Sequence, residues 1–290
     1  MKKIISVVAL TSLAMTAWAI DLGGLDKQLK EKLGDQPVTK ESVQEAIKQA
    51  APENVKTVLP TGEQEELKVG REVASNLLGS APLVNDPALQ RYVNNVGRWV
   101  SLQGERKDLP WRFGVIESND INAFAAPGGY ILMTRGLYQR LNDETELAGV
   151  LAHEIAHVLK RHHIDLMRKQ ALIAEGGKAA QKAAGDENAV IKNLVGNGAE
   201  IFARRLDQSA EMEADRMAVV LAARAGYDPY GLPSALQKLE AIRSDDDRIK
   251  LLFKTHPTPT QRLTALDKAM GNRLLTLGGA GGGRLQPLPK

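Results

Sequence analysis

Cysteine is absent from the 290 residues, and histidine is scarce, with five copies. Without thiols the chain cannot form disulfides, thiolate zinc sites or iron–sulfur clusters, and it cannot use a cysteine nucleophile. A lipid attached to an N-terminal cysteine is excluded for the same reason. Any metal site must therefore be built from histidine and carboxylate side chains.

The chain also lacks a large excess of basic or of acidic residues. The chain has 38 basic and 35 acidic residues, a formal net charge of +3. If Lys2 and Lys3 are removed with an N-terminal signal, 36 basic residues remain and the net charge is +1. This balance gives no basic surface of the kind that binds nucleic acid, so we expect no nucleic-acid partner.

Residues 1–19 have the composition of a secretory signal peptide. Two lysines precede a largely apolar run, Ile4–Met15, and the small-x-small triplet Ala17–Ala19 marks the expected cleavage site. The run is too short to span a bilayer comfortably, and no later segment is long and apolar enough to do so. We therefore expect an exported, periplasmic protein without a transmembrane anchor in its mature chain.

Beyond the signal, the pattern predicts a polar N-terminal helical arm (20–60), a main domain (61–270) and a disordered, glycine-rich tail (271–290). Capping patterns predict helices that open at Thr61, at Asp86 and at Asp143, the last running past His163. Residues 111–117, 121–126 and 130–134 predict a small antiparallel sheet of about three strands. Helices are predicted again over 208–225, 230–242 and 259–270.

Four of the five histidines fall within eleven residues, and two of them form the pattern HExxH, His153–His157. On a helix, residues four apart lie about 40° apart around the axis, so both imidazoles face one point. This geometry suits two nitrogen ligands of one zinc ion. Glu154 can reach a water that the metal activates and take its proton as general base.

A catalytic zinc ion usually takes three protein ligands, so one more is required. Glu211 and Asp215 are four residues apart and share one helical face. Glu211 is the candidate third ligand, and Asp215 is the candidate acceptor of a hydrogen bond from a ligand imidazole. The alternative is a solvated, acidic helix start, where carboxylates also suit the helix dipole.

His162 and His163 follow His157 by five and six residues. On a continuous helix they are rotated about 140° and 120° away from it, in opposite directions. We therefore exclude both from the metal site and expect a solvated basic surface that they share with Lys160 and Arg161.

Together these motifs resemble a zinc metallopeptidase family, the gluzincins that include HtpX, BepA, LoiP and the CAAX prenyl proteases. The resemblance rests on HExxH, on ExxxD from Glu211, and on His256-Pro257 with Arg262 six residues later. The segments Asn122–Gly129 and Arg135–Leu137 are similar to the family's strand and turn before the active-site helix. The resemblance covers roughly residues 61–270, which would form a zinc metallopeptidase domain.

The resemblance implies an α+β, mainly α, gluzincin fold with a small antiparallel sheet beside the active-site helix. It implies one Zn²⁺ per subunit, bound by His153, His157 and Glu211. Glu154 would be the general base, and Asp215 would support a ligand.

The resemblance also assigns roles to His256 and Arg262. His256 would stabilise the oxyanion or occupy the fourth metal position, although from sequence alone it could equally be a loop residue. Arg262 would pair with an acidic residue near the site, unless it is an exposed helical arginine. Asn122, Ala123 and Phe124 would bind substrate, because the family's edge strand holds an extended polypeptide.

We therefore expect a zinc-dependent endopeptidase that acts on unfolded or misassembled envelope proteins, outer-membrane proteins among them. The rival interpretation is a periplasmic chaperone or outer-membrane assembly factor with a latent or gated zinc site, in which residues 171–197 cover the cleft. An open fourth metal position favours the enzyme, and one closed by His256 favours the gated form.

Overall fold

The computed structural model describes residues 62–167, 206–243 and 245–271. The chain divides into two compact units. One comprises Gly62–Leu166 and Val195–Lys290 and contains every described residue except Met167, and the other comprises Met1–Thr61 and Met167–Leu194. The expected signal peptide, the N-terminal arm, the segment 171–197 and the tail after residue 271 lie outside the described residues.

The described part of the chain is mainly helical, with one small sheet, as predicted. Its helices are α1 (Glu63–Ser80), α2 (Pro87–Ser101), α3 (Arg135–Tyr138), α4 (Glu144–Leu159), α5 (Gln208–Arg224), α6 (Gly231–Glu240), α7 (Lys250–Thr255) and α8 (Pro259–Met270). The strands are β1 (Arg112–Ile116), β2 (Ala123–Ala126) and β3 (Tyr130–Thr134). None of the described helices is both long and apolar enough to cross a membrane.

The starts of α2 and α4 agree with the capping patterns, but α4 ends at Leu159, so the prediction that it runs past His163 is wrong. The Asp86 carboxylate accepts hydrogen bonds from two backbone N–H groups in the first turn of α2, and the Asp143 carboxylate accepts one from Glu146 at the start of α4. After α5, Gly226 has a φ of 90°, a left-handed conformation that favours glycine. Thr61, the predicted cap of α1, lies outside the described residues.

The sheet is mixed, so the prediction of an antiparallel sheet is wrong in one of its two strand pairs. β3 lies in the centre, with β2 antiparallel on one side and β1 parallel on the other. Strand composition predicted the positions but not the direction, because residues 117–122 form a crossing connection instead of a hairpin turn. Thr134 fixes this connection: its hydroxyl donates to the carbonyl of Asp120 and accepts from the N–H of Asn122.

Helix α4 runs through the core, and all of its residues from Thr145 to Val158 are buried. It packs against α2, α5 and α6. The contact with α6 is close, because a Cβ at Gly149 would lie 2.4 Å from the backbone nitrogen of Leu232. The polar side chains of α4 are therefore surrounded by protein and must find their partners there.

Candidate metal centre

Helices α4 and α5 and the turn after α7 bring four candidate metal ligands together. They are His153, His157, Glu211 and His256, and one ligand atom of each lies within 4.8 Å of those of the others. The first two lie one turn apart on α4, Glu211 lies in the first turn of α5, and His256 directly follows α7. His153, His157 and Glu211 are buried.

The separations among His153, His157 and Glu211 lie within about 0.3 Å of those around a single tetrahedral ion. Nε2 of His153 lies 3.0 Å from Nε2 of His157, and these atoms lie 3.7 and 3.6 Å from the Glu211 carboxylate oxygens. Nε2 of His256 lies 3.8 Å from Glu211 Oε1. Tetrahedral zinc ligands, with bonds of about 2.0–2.2 Å, are roughly 3.3–3.6 Å apart, so the donor set suits this metal.

Hydrogen bonds behind two of the imidazoles determine which nitrogen faces the cluster. Nδ1 of His153 lies 2.9 Å from Oδ1 of Asp215, and an ionised carboxylate only accepts, so Nδ1 carries the proton. Thr255 donates its hydroxyl proton to the Leu251 carbonyl and therefore accepts from Nδ1 of His256, at 2.9 Å each. In both rings Nε2 is left with its lone pair toward the cluster.

Asp215 is in turn held by Arg262 of α8. The guanidinium donates from Nη2 at 2.6 Å and from Nε at 3.0 Å, and both side chains are buried. Burial alone raises the pKa of Asp215, but Arg262 and His153 lower it further than burial raises it, so the carboxyl stays ionised. Arg262 is thus a buried ion-pair partner and not an exposed helical arginine.

Burial also sets the protonation of the α4 side chains. It is the main cause that lowers the pKa of His153 and of His157, which keeps both rings neutral as ligation requires. Burial raises the pKa of Glu154 to about 8, with Arg262 acting in the opposite direction. A carboxyl group whose pKa lies near neutrality can both take and return a proton.

His162 and His163 do not lie on a solvated surface, so that prediction is wrong. Helix α4 ends at Leu159, and Arg161 adopts a φ of 56° before helical structure resumes at residue 162. This break turns His162 back onto α4, with its Nδ1 2.9 Å from Nδ1 of His157, and the two side chains are buried. The His163 ring centre lies 5.7 Å from that of His157.

Asn122, Ala123 and Phe124 lie around a small cavity that Glu154 and His256 also line. All three residues are buried, and the last two belong to β2. Within the described ranges the buried side-chain oxygen of Asn122 has no hydrogen-bond partner. The structure therefore places the predicted substrate residues beside the candidate ligands.

Residues 87–270 match the model of Peptidase family M48, which is more than half of the chain. The chain belongs to Peptidase family M48. This M48 chain is 33% identical over 213 residues to the Beta-barrel assembly-enhancing protease of Escherichia coli, an alignment that covers 69% of this chain and 42% of that protein.

Two further relatives are metalloproteases by name. The Mitochondrial metalloendopeptidase OMA1 of Arabidopsis thaliana is 28% identical over 162 residues, covering 56% of this chain and 32% of the relative. Metalloprotease YcaL of Escherichia coli is 28% identical over 154 residues, covering 53% of this chain and 59% of the relative. The M48 chain thus spans less than half the length of the assembly-enhancing protease that it matches.

Proposed function

We propose that the protein is a zinc-dependent endopeptidase whose metal is bound by His153, His157 and Glu211. The observation that carries this proposal is the convergence of imidazole Nε2 atoms and a carboxylate at zinc-ligand spacing, inside a Peptidase family M48 chain. Zinc supplies Lewis-acid polarisation of a peptide carbonyl and lowers the pKa of a water.

The remaining side chains orient groups and move protons. Glu154 takes a proton from the attacking water and passes it to the leaving amine. Asp215 holds the Nδ1–H of His153 and so keeps Nε2 available to the metal. Arg262 compensates the buried charge of Asp215.

His256 occupies the fourth corner of the ligand set in this proposal. Its Nδ1 proton is directed to Thr255, so its neutral ring offers a lone pair to the metal and has no proton left for an oxyanion. This arrangement favours the gated form of the enzyme, in which His256 would close the metal site. It equally supports the second candidate function, a periplasmic chaperone or assembly factor with a latent zinc site.

An extended polypeptide would bind along β2, beside Glu154. Among the described strands, β2 pairs with β3 alone, and a strand that adds to a sheet is bound through backbone hydrogen bonds. The side-chain oxygen of Asn122 provides one further acceptor beside Glu154. Because β2 is buried, it must become accessible before a substrate adds to it.

The predicted signal peptide and the name of the assembly-enhancing relative support envelope proteins as substrates, in particular unfolded or misassembled outer-membrane proteins. The periplasm is the corresponding location.

The proposal is tested with unfolded casein and the Glu154→Gln variant. We expect the wild type to bind about one zinc ion and cleave casein, and the variant to bind zinc equally but lose at least ~10³-fold in cleavage rate. Glu105→Gln, at an exposed position, is the matched control and keeps full activity. Cleavage by Glu154→Gln at the wild-type rate contradicts the mechanism.

His256→Ala separates the two roles of this histidine. If His256 closes the metal site, the variant cleaves casein faster than the wild type and retains zinc through the three other ligands. A cleavage rate that falls ~10-fold or more with zinc retained identifies His256 as a catalytic group instead. Casein cleavage and zinc content of the same preparations distinguish these results.

A further inference from the structure

We propose that His162 is a positioning residue for the metal: it accepts a hydrogen bond from Nδ1–H of His157 and thereby aims Nε2 of His157 at the ion. The inference rests on the proposed zinc site. It gives a function to a histidine that helical rotation had excluded, without making it a ligand.

The contact between His157 and His162 requires one ring nitrogen to donate a proton and the other to accept it. Nε2 of His157 faces the cluster, 3.0 Å from Nε2 of His153 and 3.6 Å from Glu211 Oε1. A ligand imidazole has its lone pair on that nitrogen, so its proton lies on Nδ1. Nδ1 of His162, 2.9 Å away, must then be the acceptor. His162 is therefore neutral and carries its own proton on Nε2.

Glu213 stabilises that tautomer from outside. Its Oε2 lies 3.7 Å from Nε2 of His162, and its Oε1 lies 3.2 Å from Nζ of Lys160. Because 3.7 Å is longer than a hydrogen bond, Glu213 acts by attraction to the N–H and not by a direct bond. Glu213 lies on a different face of α5 from Glu211. The Glu211 carboxylate is near the opposite ring nitrogen of His157, Nε2.

The backbone holds His162 in this position through Arg161. A left-handed conformation in a non-glycine residue is costly and must be stabilised by its surroundings. Nε of Arg161 lies 3.1 Å from Oε2 of the buried Glu66, which provides this stabilisation. The ion pair therefore maintains the turn that brings His162 onto His157.

With His162 included, each of the three cluster imidazoles has an acceptor behind its Nδ1. Asp215 supports His153, His162 supports His157, and Thr255 supports His256. Such partners fix the tautomer and the orientation of a ligand ring, and their loss typically weakens metal binding 10–100-fold. His157 would otherwise be the one ring of the set with no such partner among the described residues.

The test compares His162→Asn with His162→Leu in the full-length protein. The two side chains have nearly the same shape, but only Asn places an acceptor oxygen close to the position of Nδ1. Zinc dissociation constants are measured without substrate, by competition with a chromogenic chelator, and the visible spectrum of the Co²⁺-loaded protein reports ligand geometry. We expect His162→Leu to weaken zinc binding 10–100-fold and alter the Co²⁺ spectrum, and His162→Asn to stay within ~3-fold of wild type.

Equal zinc affinity in the wild type and His162→Leu overturns the inference, as does His162→Asn binding as weakly as His162→Leu. If His162→Leu fails to fold, the decision rests on His162→Asn, for which affinity within ~3-fold supports the inference and a loss of ~10-fold or more overturns it. A wild type that binds no zinc overturns the proposed function as well. If the wild type binds zinc but no more tightly than His162→Leu, the role of His162 is overturned and the proposed function is not.

Discussion

The two histidines of the HExxH pattern both direct Nε2 to the cluster, but the hydrogen-bond partners of their Nδ1 atoms differ in charge. His153 contacts Asp215, a buried charge that is itself paired with Arg262. His157 contacts the neutral ring of His162, which follows a break in the helix. One support is a charged pair between helices, and the other depends on the backbone conformation of a single residue.

Because of this difference, we expect substitutions of the two partners to have unequal effects on folding stability. A buried ion pair is costly to break, because the remaining partner keeps its charge in a low-dielectric environment. A neutral hydrogen bond contributes less, roughly 0.5–1.5 kcal/mol of stability, and its loss leaves no charge behind. Substitution of Asp215 should therefore reduce both folding stability and metal binding, whereas substitution of His162 should act mainly on metal binding.

The largest effect is expected from Asp215→Ala. Arg262 is then left buried without its carboxylate, which should lower the free energy of unfolding by about 3–5 kcal/mol, and zinc binding should weaken 10–100-fold. Urea unfolding of the metal-free protein and chelator competition measure the two quantities. Asp215→Asn keeps an acceptor oxygen at the same position and should retain more of the zinc affinity. A stability loss below ~1 kcal/mol in Asp215→Ala would contradict the predicted asymmetry.

A smaller effect is expected from Glu66→Gln, which tests the other side of the comparison. Glu66 pairs with Arg106 at 2.8 Å and with Arg161 at 3.1 Å, so loss of its charge should loosen the turn before His162. We expect a stability loss of about 1.5–3 kcal/mol and a zinc affinity that falls by a few-fold, less than in His162→Leu.

Glu63→Gln is the matched control for this variant. Glu63 lies 3.5 Å from the same Arg106, but its side chain is 52% exposed, so its charge contributes little. If Glu63→Gln and Glu66→Gln give indistinguishable unfolding curves and zinc affinities, the buried ion pair does not maintain the turn.

Spacing predicted that Asp215 lies behind His153, and the family resemblance implied the pairing of Arg262. Glu211 and Asp215 are one helical turn apart, so both face α4 once α5 forms, and Arg262 belongs to a helix whose predicted bounds agree with the structure. The caps at Asp86 and Asp143 were recognisable for the same reason: they depend on local contacts.

The support behind His157 could not be predicted in this way. It requires Arg161 in a left-handed conformation, and no glycine, asparagine or proline marks the break. The distant partner that stabilises this conformation, Glu66, is separated from Arg161 by nearly a hundred residues. The parallel pairing of β1 with β3 was missed for a similar reason, since strand patterns carry no information on direction.

The most direct test of the account is the anomalous scattering at the zinc edge from crystals of the zinc-loaded protein. The account predicts one anomalous peak, about 2.0–2.2 Å from Nε2 of His153, Nε2 of His157 and an oxygen of Glu211. A zinc peak on other residues, or no peak between α4 and α5 in the loaded crystals, would contradict it.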